Sequence, residues 1–281
     1  MLKIIVDGSA DMPDGWVEKF HLDILPMPIQ IGNRTYYQGE DITPDLFYQL
    51  IKGKENHPTT AAPSPFRIVD FIEKVCEIGD KVLSINVSGK MSSTVSMVRK
   101  AALDLRGNID LSVFDSKAGS AVLAFMAREA RLREQAGDTL ERIIDVLKVI
   151  RDEVMVVLTV DTLEYAWKSG RVGAIKAALS SILDIKPIIV LQDGVMEMTE
   201  MVRTRKKSLE RVVLKIKGHF GDHPVRLAIV HAQDNVTAKK IEEMVLEILS
   251  VVEIVFTELS ISVAANLGPG TVGIVALPAE L

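Results

Sequence analysis

Short segments rich in Val, Ile and Leu alternate with amphipathic helical segments along almost the whole chain, and this alternation most narrows the possible folds. Three segments of the first half have the composition of strands covered on both faces: Leu2–Asp7, Lys81–Val87 and Ile109–Asp115. Thr43 and Ser64 each precede a proline, a pattern typical of a capped helix start. The alternation therefore predicts an α/β fold with a mostly parallel sheet in this half.

A fourth segment of the first half carries two prolines. Ile24–Ile31 is predicted as one strand, and it contains Pro26 and Pro28. Because proline has no backbone N–H to donate, this strand is expected at the edge of its sheet.

Chain length and the order of the predicted helices indicate two domains. The chain has 281 residues, against a typical domain size of about 150. Two consecutive helical segments, Lys117–Gln135 and a second that ends near Arg151, interrupt the alternation. The boundary is therefore predicted close to Asp152, with an N-terminal α/β domain over residues 1–152 and a C-terminal one over 153–281.

The second half is predicted to contain a mixed sheet. It begins with the buried strand Val154–Val160, and Asp193-Gly194 stands between two further strand segments as a strong hairpin signal. Helices are predicted over Ala174–Leu183 and over the basic segment Arg205–Lys217. A hairpin within an α/β pattern adds antiparallel pairing to the parallel strands.

Composition excludes several classes of protein. The 33 basic and 38 acidic residues give a net charge of −5, so a nucleic acid partner is not expected. The single cysteine, Cys76, excludes an intrachain disulfide and a cysteine-rich zinc site, and is interpreted as a small buried hydrophobe. No apolar run approaches the roughly 20 residues that span a bilayer. We expect a cytoplasmic protein with no metal or intrinsic cofactor.

Hydroxyl side chains gather where predicted strands give way to helices. Ser92, Ser93 and Thr94 follow the strand Lys81–Val87, and the free N–H groups of a helix start beside hydroxyls favour a carboxylate or phosphate. Capping of the helix explains many hydroxyls in such positions, but three of them at one helix start are less readily explained in that way. Thr60 lies in a proline-rich loop whose role local reasoning leaves open.

The sequence shows an anion-binding pattern without a recognisable catalytic motif. Arg203 begins a basic cluster at a strand end, where an arginine can face an anionic ligand. The glycine-rich run that contains Gly268 permits close backbone approach to a ligand, or forms a tight turn. The sequence contains no phosphate-binding P-loop, nucleophile elbow or HExxH motif.

Taken in order, the motifs resemble those of the DegV family of bacterial fatty acid-binding proteins. The resemblance spans the whole chain and rests on the following segments: DGSADM (Asp7–Met12), TAAPS (Thr60–Ser64), VSGKMSST (Val87–Thr94), FDS (Phe114–Ser116), SGR (Ser169–Arg171), KPII (Lys186–Ile189), RTRKKS (Arg203–Ser208) and LGPGTVG (Leu267–Gly273). Each motif is weak alone, whereas the ordered set is specific.

The resemblance implies a two-domain DegV-like fold that binds a long-chain fatty acid, with the tail in an apolar tunnel and the carboxylate at hydroxyl groups. It makes Thr60 and Ser92 the head-group hydroxyls, with Ser93 and Asn266 beside them. It also implies that Thr94, Arg171, Arg203 and Gly268 contact an acyl phosphate or shape its loop. A separate kinase subunit would bring ATP and phosphorylate the bound carboxylate, and a monomer is expected.

The chain departs from the family pattern at two of these positions. Asn266 stands where the family commonly has histidine, and Ser93 replaces a glycine. Asparagine can donate a hydrogen bond to an anion but carries no charge, so we expect weaker stabilisation of a doubly charged acyl phosphate.

Two other classes of function remain open from the residues alone. The cluster of Thr60, Ser92 and Ser93 would also suit an acyl or phosphoryl transferase that acts on a small anion, provided that a base lies near Ser92. A regulatory or nucleic acid-binding module has only the basic cluster near Arg205 in its favour.

Overall fold

The computed structural model describes residues 1–53, 57–173 and 185–281. These residues form two compact units. The first comprises Met1–Arg151 together with Ser260–Ser262, and the second comprises Asp152–Leu259 together with Val263–Leu281. The helix predicted over Ala174–Leu183 lies outside the described residues.

The first unit contains seven strands and six helices among its described residues. The strands are β1 (Lys3–Asp7), β2 (Leu22–Leu25), β3 (Pro28–Ile31), β4 (Arg34–Tyr37), β5 (Thr59–Thr60), β6 (Lys81–Asn86) and β7 (Asp110–Asp115). The helices are α1 (Trp16–Lys19), α2 (Pro44–Leu50), α3 (Pro65–Val75), α4 (Thr94–Asp104), α5 (Ala121–Gln135) and α6 (Leu140–Glu153), the last two residues of α6 lying beyond the unit's boundary. Thr43 and Ser64 cap α2 and α3 by accepting from the amides of Leu46 and Arg67, which confirms both predicted helix starts.

A parallel sheet of order β2-β1-β6-β7 forms the centre of the first unit, as the alternation predicted. Helices α3 and α4 cover one face through a core that includes Ile5, Ile68 and Val98. Cys76 belongs to the same core, and burial raises the pKa of its thiol to about 11. A buried thiol that resists ionisation is a poor nucleophile, which agrees with its interpretation as a hydrophobe.

The prediction of one strand over Ile24–Ile31 is wrong, because the structure divides this segment between two sheets. β2 is the outer strand of the parallel sheet, whereas β3 is the central strand of a separate antiparallel sheet of order β4-β3-β5. Pro26 lies at the break. A residue with a locked φ and no N–H cannot continue the ladder with β1, so the chain leaves one sheet there and enters the other.

The second unit contains seven described strands in one mixed sheet. The strands are β8 (Met155–Thr159), β9 (Val172–Gly173), β10 (Lys186–Gln192), β11 (Val195–Val202), β12 (Val225–His231), β13 (Val251–Glu258) and β14 (Val272–Pro278). Their order is β13-β12-β14-β8-β10-β11-β9. The described helices are α7 (Leu163–Ser169), α8 (Arg205–Phe220), α9 (Asn235–Ile248) and α10 (Ile261–Leu267), whose first two residues belong to the first unit.

The predicted hairpin is confirmed. β10 and β11 pair antiparallel, and the two residues between them, Asp193 and Gly194, have φ values of 48° and 83°. Two central residues with positive φ match the twist of the flanking strands. Helices α8 and α9 cover the sheet through a core that includes Val212, Ile216 and Ile241, so the mixed-sheet prediction for this half is also confirmed.

No helix among the described residues combines the length and the apolar character that crossing a membrane requires.

Candidate functional site

Three loops leave the carboxyl ends of the parallel strands β1, β6 and β7, and hydrogen bonds hold them together. The buried carboxylate of Asp7, the last residue of β1, accepts from the amides of Ser9 at 2.9 Å and Val87 at 2.6 Å, and from the Ser9 hydroxyl. Burial raises the pKa of Asp7, although these hydrogen bonds oppose the shift. Asp7 therefore connects the first loop with the second through hydrogen bonds.

Asp115, the last residue of β7, connects the second loop with the third. Its Oδ1 accepts from the amides of Gly89 at 3.2 Å and Lys117 at 2.9 Å. Lys117 and Ser120 both have positive φ, at 49° and 61°. Helix α5 therefore begins at Ala121, four residues later than predicted, because left-handed backbone cannot enter a helix.

Ser92 and Thr94 come together at the start of α4. Their hydroxyl oxygens are 2.8 Å apart, and the Thr94 amide donates to Ser92 Oγ at 3.2 Å. Thr94 is buried and Ser92 is half-buried, so the Ser92 hydroxyl is the member of the pair that a ligand can reach. Among the described residues, Ser92 Oγ hydrogen-bonds to the hydroxyl and amide of Thr94 and to no His, Asp, Glu or Lys side chain.

Two further predicted residues of the first unit, Ser93 and Thr60, make no hydrogen bond with this pair through their side chains in the described part of the chain. Ser93 is exposed and precedes α4. Thr60 is half-buried on β5, paired with Ile29 of β3, and thus belongs to the antiparallel sheet.

Two predicted arginines of the second unit are exposed, and strand pairing keeps them apart. Arg203 follows β11 directly, whereas Arg171 precedes β9. β9 runs parallel to the beginning of β11, with Val172 opposite Met196. At about 3.3 Å per residue, the two arginine backbones are separated by roughly 25 Å along β11.

The glycine-rich run is a tightly packed loop after α10. Gly268 has a φ of 85°, and a Cβ built on it would lie 2.6 Å from Tyr165 Cδ2. Gly270 has a φ of 76°, and a Cβ built on it would lie 2.8 Å from the Asp161 Cβ. Contacts with the protein's own side chains therefore account for both glycines. Asn266, in the last turn of α10, is half-buried.

Replacement of Gly268 by alanine is expected to lower the free energy of unfolding by about 2 to 4 kcal/mol, because the methyl group adds a clash to an unfavourable φ. Gly137→Ala is the matched control, since Gly137 has a φ of 89° and nothing within 4 Å of its Cβ position. Urea denaturation of both variants measures the difference. If Gly268→Ala and Gly137→Ala lower the free energy of unfolding equally, Tyr165 does not restrict the side chain at position 268.

Sequence reasoning missed the polar residues that surround this loop. Lys186 Nζ donates to the backbone oxygen of Asp161 at 2.7 Å and to its carboxylate at 2.5 Å. Arg205, the first residue of α8, donates to Asp234 Oδ2 at 3.2 Å and to the backbone oxygen of Gly270. Lys186 and Arg205 do belong to the family motifs KPII and RTRKKS. Their presence in these motifs is the sequence signal that could have identified them.

The fold and these loops define a class: an α/β protein with two units, in which hydroxyl and amide groups surround the carboxyl edge of a parallel sheet. The model of the DegV family of uncharacterised proteins matches residues 1–279. The chain therefore belongs to the DegV family, as the ordered motifs predicted.

Similar proteins come from several bacteria. A DegV domain-containing protein of Listeria innocua is 30% identical over 212 residues, which is 75% of each chain. A Thermus thermophilus structure described as fatty acid binding of a DegV family protein is 27% identical, with a TM-score of 0.88 and 99% of each chain covered. The structure of DegV from Bacillus subtilis, described as a fatty acid binding protein, is 26% identical, with a TM-score of 0.84 and the same coverage.

Proposed function

We propose that this protein binds a long-chain fatty acid and holds its carboxylate with the hydroxyl groups of Thr60 and Ser92, near Ser93 and Asn266. The observation that carries the proposal is the half-buried Ser92 hydroxyl at the start of α4, hydrogen-bonded to Thr94. Family members from Thermus thermophilus and Bacillus subtilis, described as fatty acid binding, share this fold.

The chemistry of the pair suits a carboxylate better than it suits catalysis. A hydroxyl donates a hydrogen bond to an anion without adding charge, and the positive end of the α4 dipole favours negative charge there. Affinity comes mainly from the tail, at about 0.8 kcal/mol for each CH₂ removed from water. A transferase at the same position would need a base next to Ser92, and the described residues place none within hydrogen-bond distance.

The resemblance extends the proposal to a complete role. The bound fatty acid is presented to a separate ATP-dependent kinase subunit, which forms an acyl phosphate from the carboxylate. Thr94, Gly268 and the arginines Arg171 and Arg203 are the residues proposed to contact the acyl phosphate or to shape its loop; because the two arginine backbones are roughly 25 Å apart along β11, we propose that they do so at different points of the site. In this role the protein is a cytoplasmic monomer, and ATP and magnesium belong to the partner.

Extraction of the purified protein with organic solvent, followed by mass spectrometry, is the first test. We expect a long-chain fatty acid in near-stoichiometric amount. A protein that carries no acyl chain, and that shows no thermal shift when oleate is added after delipidation, would contradict fatty acid binding.

Ser92→Ala should weaken fatty acid binding by roughly 10- to 100-fold, the range for losing a hydrogen bond to a charged group. Ser96→Ala is the control, because Ser96 is exposed one turn further along α4 and its hydroxyl donates to the Ser93 carbonyl at 2.7 Å. Titration of the delipidated proteins with a fluorescent fatty acid gives both affinities. If the two variants bind equally well, Ser92 has only its local hydrogen bonds to Thr94 and no role in ligand binding.

A further inference from the structure

Arg205 joins three separate segments of the second unit. Its guanidinium donates to the backbone oxygen of Gly270 in the glycine-rich loop and to Asp234, the N-cap of α9, while its own backbone begins α8. Gly270 in turn donates to the Ala232 carbonyl at 2.8 Å. A planar guanidinium with several fixed donors can hold two acceptors at once, which a flexible ammonium does less well.

The position of Arg205 is not explained by the stability of its own helix. An arginine at the first helical position faces the positive end of the helix dipole, which is unfavourable, and the first turn of α8 contains no acidic residue. Arg205 Nη1 is buried without a hydrogen-bond partner among the described residues. An unpaired buried donor adds a further cost.

The electrostatic surroundings of Asp234 maintain its ion pair with Arg205. Burial tends to raise the pKa of Asp234, but hydrogen bonds from Thr237 and the neighbouring Arg205 outweigh it and lower the pKa. Asp234 therefore stays ionised near neutral pH and remains a partner for the guanidinium.

The segments joined by Arg205 carry residues proposed above for the carboxylate or for the acyl phosphate formed from it. Arg203 lies two residues before Arg205, and Gly270 belongs to the loop that follows Asn266 and contains Gly268. We infer that Arg205 is a positioning residue, which holds the glycine-rich loop against the start of α8 and so sets the placement of Arg203 and Asn266 around the anionic head group. This inference rests on the proposed function.

The test compares binding of hexadecanoate with binding of hexadecanol, which has the same chain length and no charge. Arg205→Gln is expected to weaken hexadecanoate binding about tenfold or more, with hexadecanol binding within twofold of wild type. Arg205→Lys, which keeps the charge, should restore part of the preference for the acid. If Arg205→Gln does not fold, Arg205→Lys alone still tests the inference, because its affinity for hexadecanoate relative to hexadecanol should fall below that of wild type.

Arg211→Gln is the matched control, because Arg211 lies on α8 and pairs with Glu200 at 2.7 Å on the exposed side. It should leave the preference for the acid unchanged. If the Arg205 variants lose hexadecanoate and hexadecanol binding equally, or lose neither, the inference is overturned. The contacts of Arg205 with Asp234 and Gly270 would then have a purely structural role. Wild-type protein that binds neither ligand would instead overturn the proposed function, so the two failures are distinguishable.

Discussion

Replacement of Arg131 by alanine should lower the free energy of unfolding by about 3 to 5 kcal/mol, the range for removing one member of a buried charged network. Arg131 is fully buried in α5. Its guanidinium donates to the backbone oxygens of Phe20 at 2.8 Å, Leu2 at 3.0 Å and His21 at 3.0 Å, and to Glu134 at 3.0 Å. Three carbonyl groups would lose a donor at once.

Arg133→Ala provides the comparison for this prediction. Arg133 lies on the same helix, is 37% exposed and pairs with Glu129 at 2.8 Å. Exposed pairs of this kind contribute about 0 to 1 kcal/mol. Urea denaturation followed by circular dichroism measures both variants, and a loss below about 1 kcal/mol for Arg131→Ala would contradict the assigned role.

Asp11 is expected to make the protein less stable as pH rises from about 4 to 7. Its buried carboxyl accepts from the Ser260 amide at 2.7 Å and from the Ser120 hydroxyl, and burial raises its pKa from 3.8 to about 7. Between these values the unfolded chain has lost the proton and the folded chain keeps it. The free energy of unfolding therefore falls by roughly 4 kcal/mol across this range.

Asp11→Asn removes this titration, so the variant should gain up to about 4 kcal/mol relative to wild type between pH 4 and pH 7.5. Subtraction of the two profiles cancels the contribution of Asp7, whose raised pKa acts in both proteins. Asp14→Asn is the control, since Asp14 is exposed in the same segment. A constant difference between Asp11→Asn and wild type at every pH would refute the assignment.

Much of the fold was accessible to sequence reasoning because its signals are local. The caps of α2 and α3 and the hairpin at Asp193-Gly194 each depend on a few adjacent residues. The division of Ile24–Ile31 between two sheets was not predicted, since both prolines were interpreted as marks of an edge strand and neither specifies a partner strand. Helix α10 was also missed.

The candidate site was predictable in part for the same reason. Ser92 and Thr94 adjoin one helix start, and local chemistry brings their hydroxyls together. Arg205 was assigned no role in the fatty acid site, because its acceptors at Asp234 and Gly270 lie 29 and 65 positions away in the chain.

By itself the sequence determined many of the segments that form strands and helices, where hydroxyl groups meet helix starts, and the family to which the chain belongs. These features follow from periodicity, capping and motif order, which are properties of neighbouring residues. Only the tertiary structure decided which charged groups are buried and what they bind, as in the pairing of Asp11 with Ser260, 249 positions apart. The physical reason is that burial and long-range hydrogen bonds depend on how the sheets and helices are arranged in space, and local preferences do not specify that arrangement.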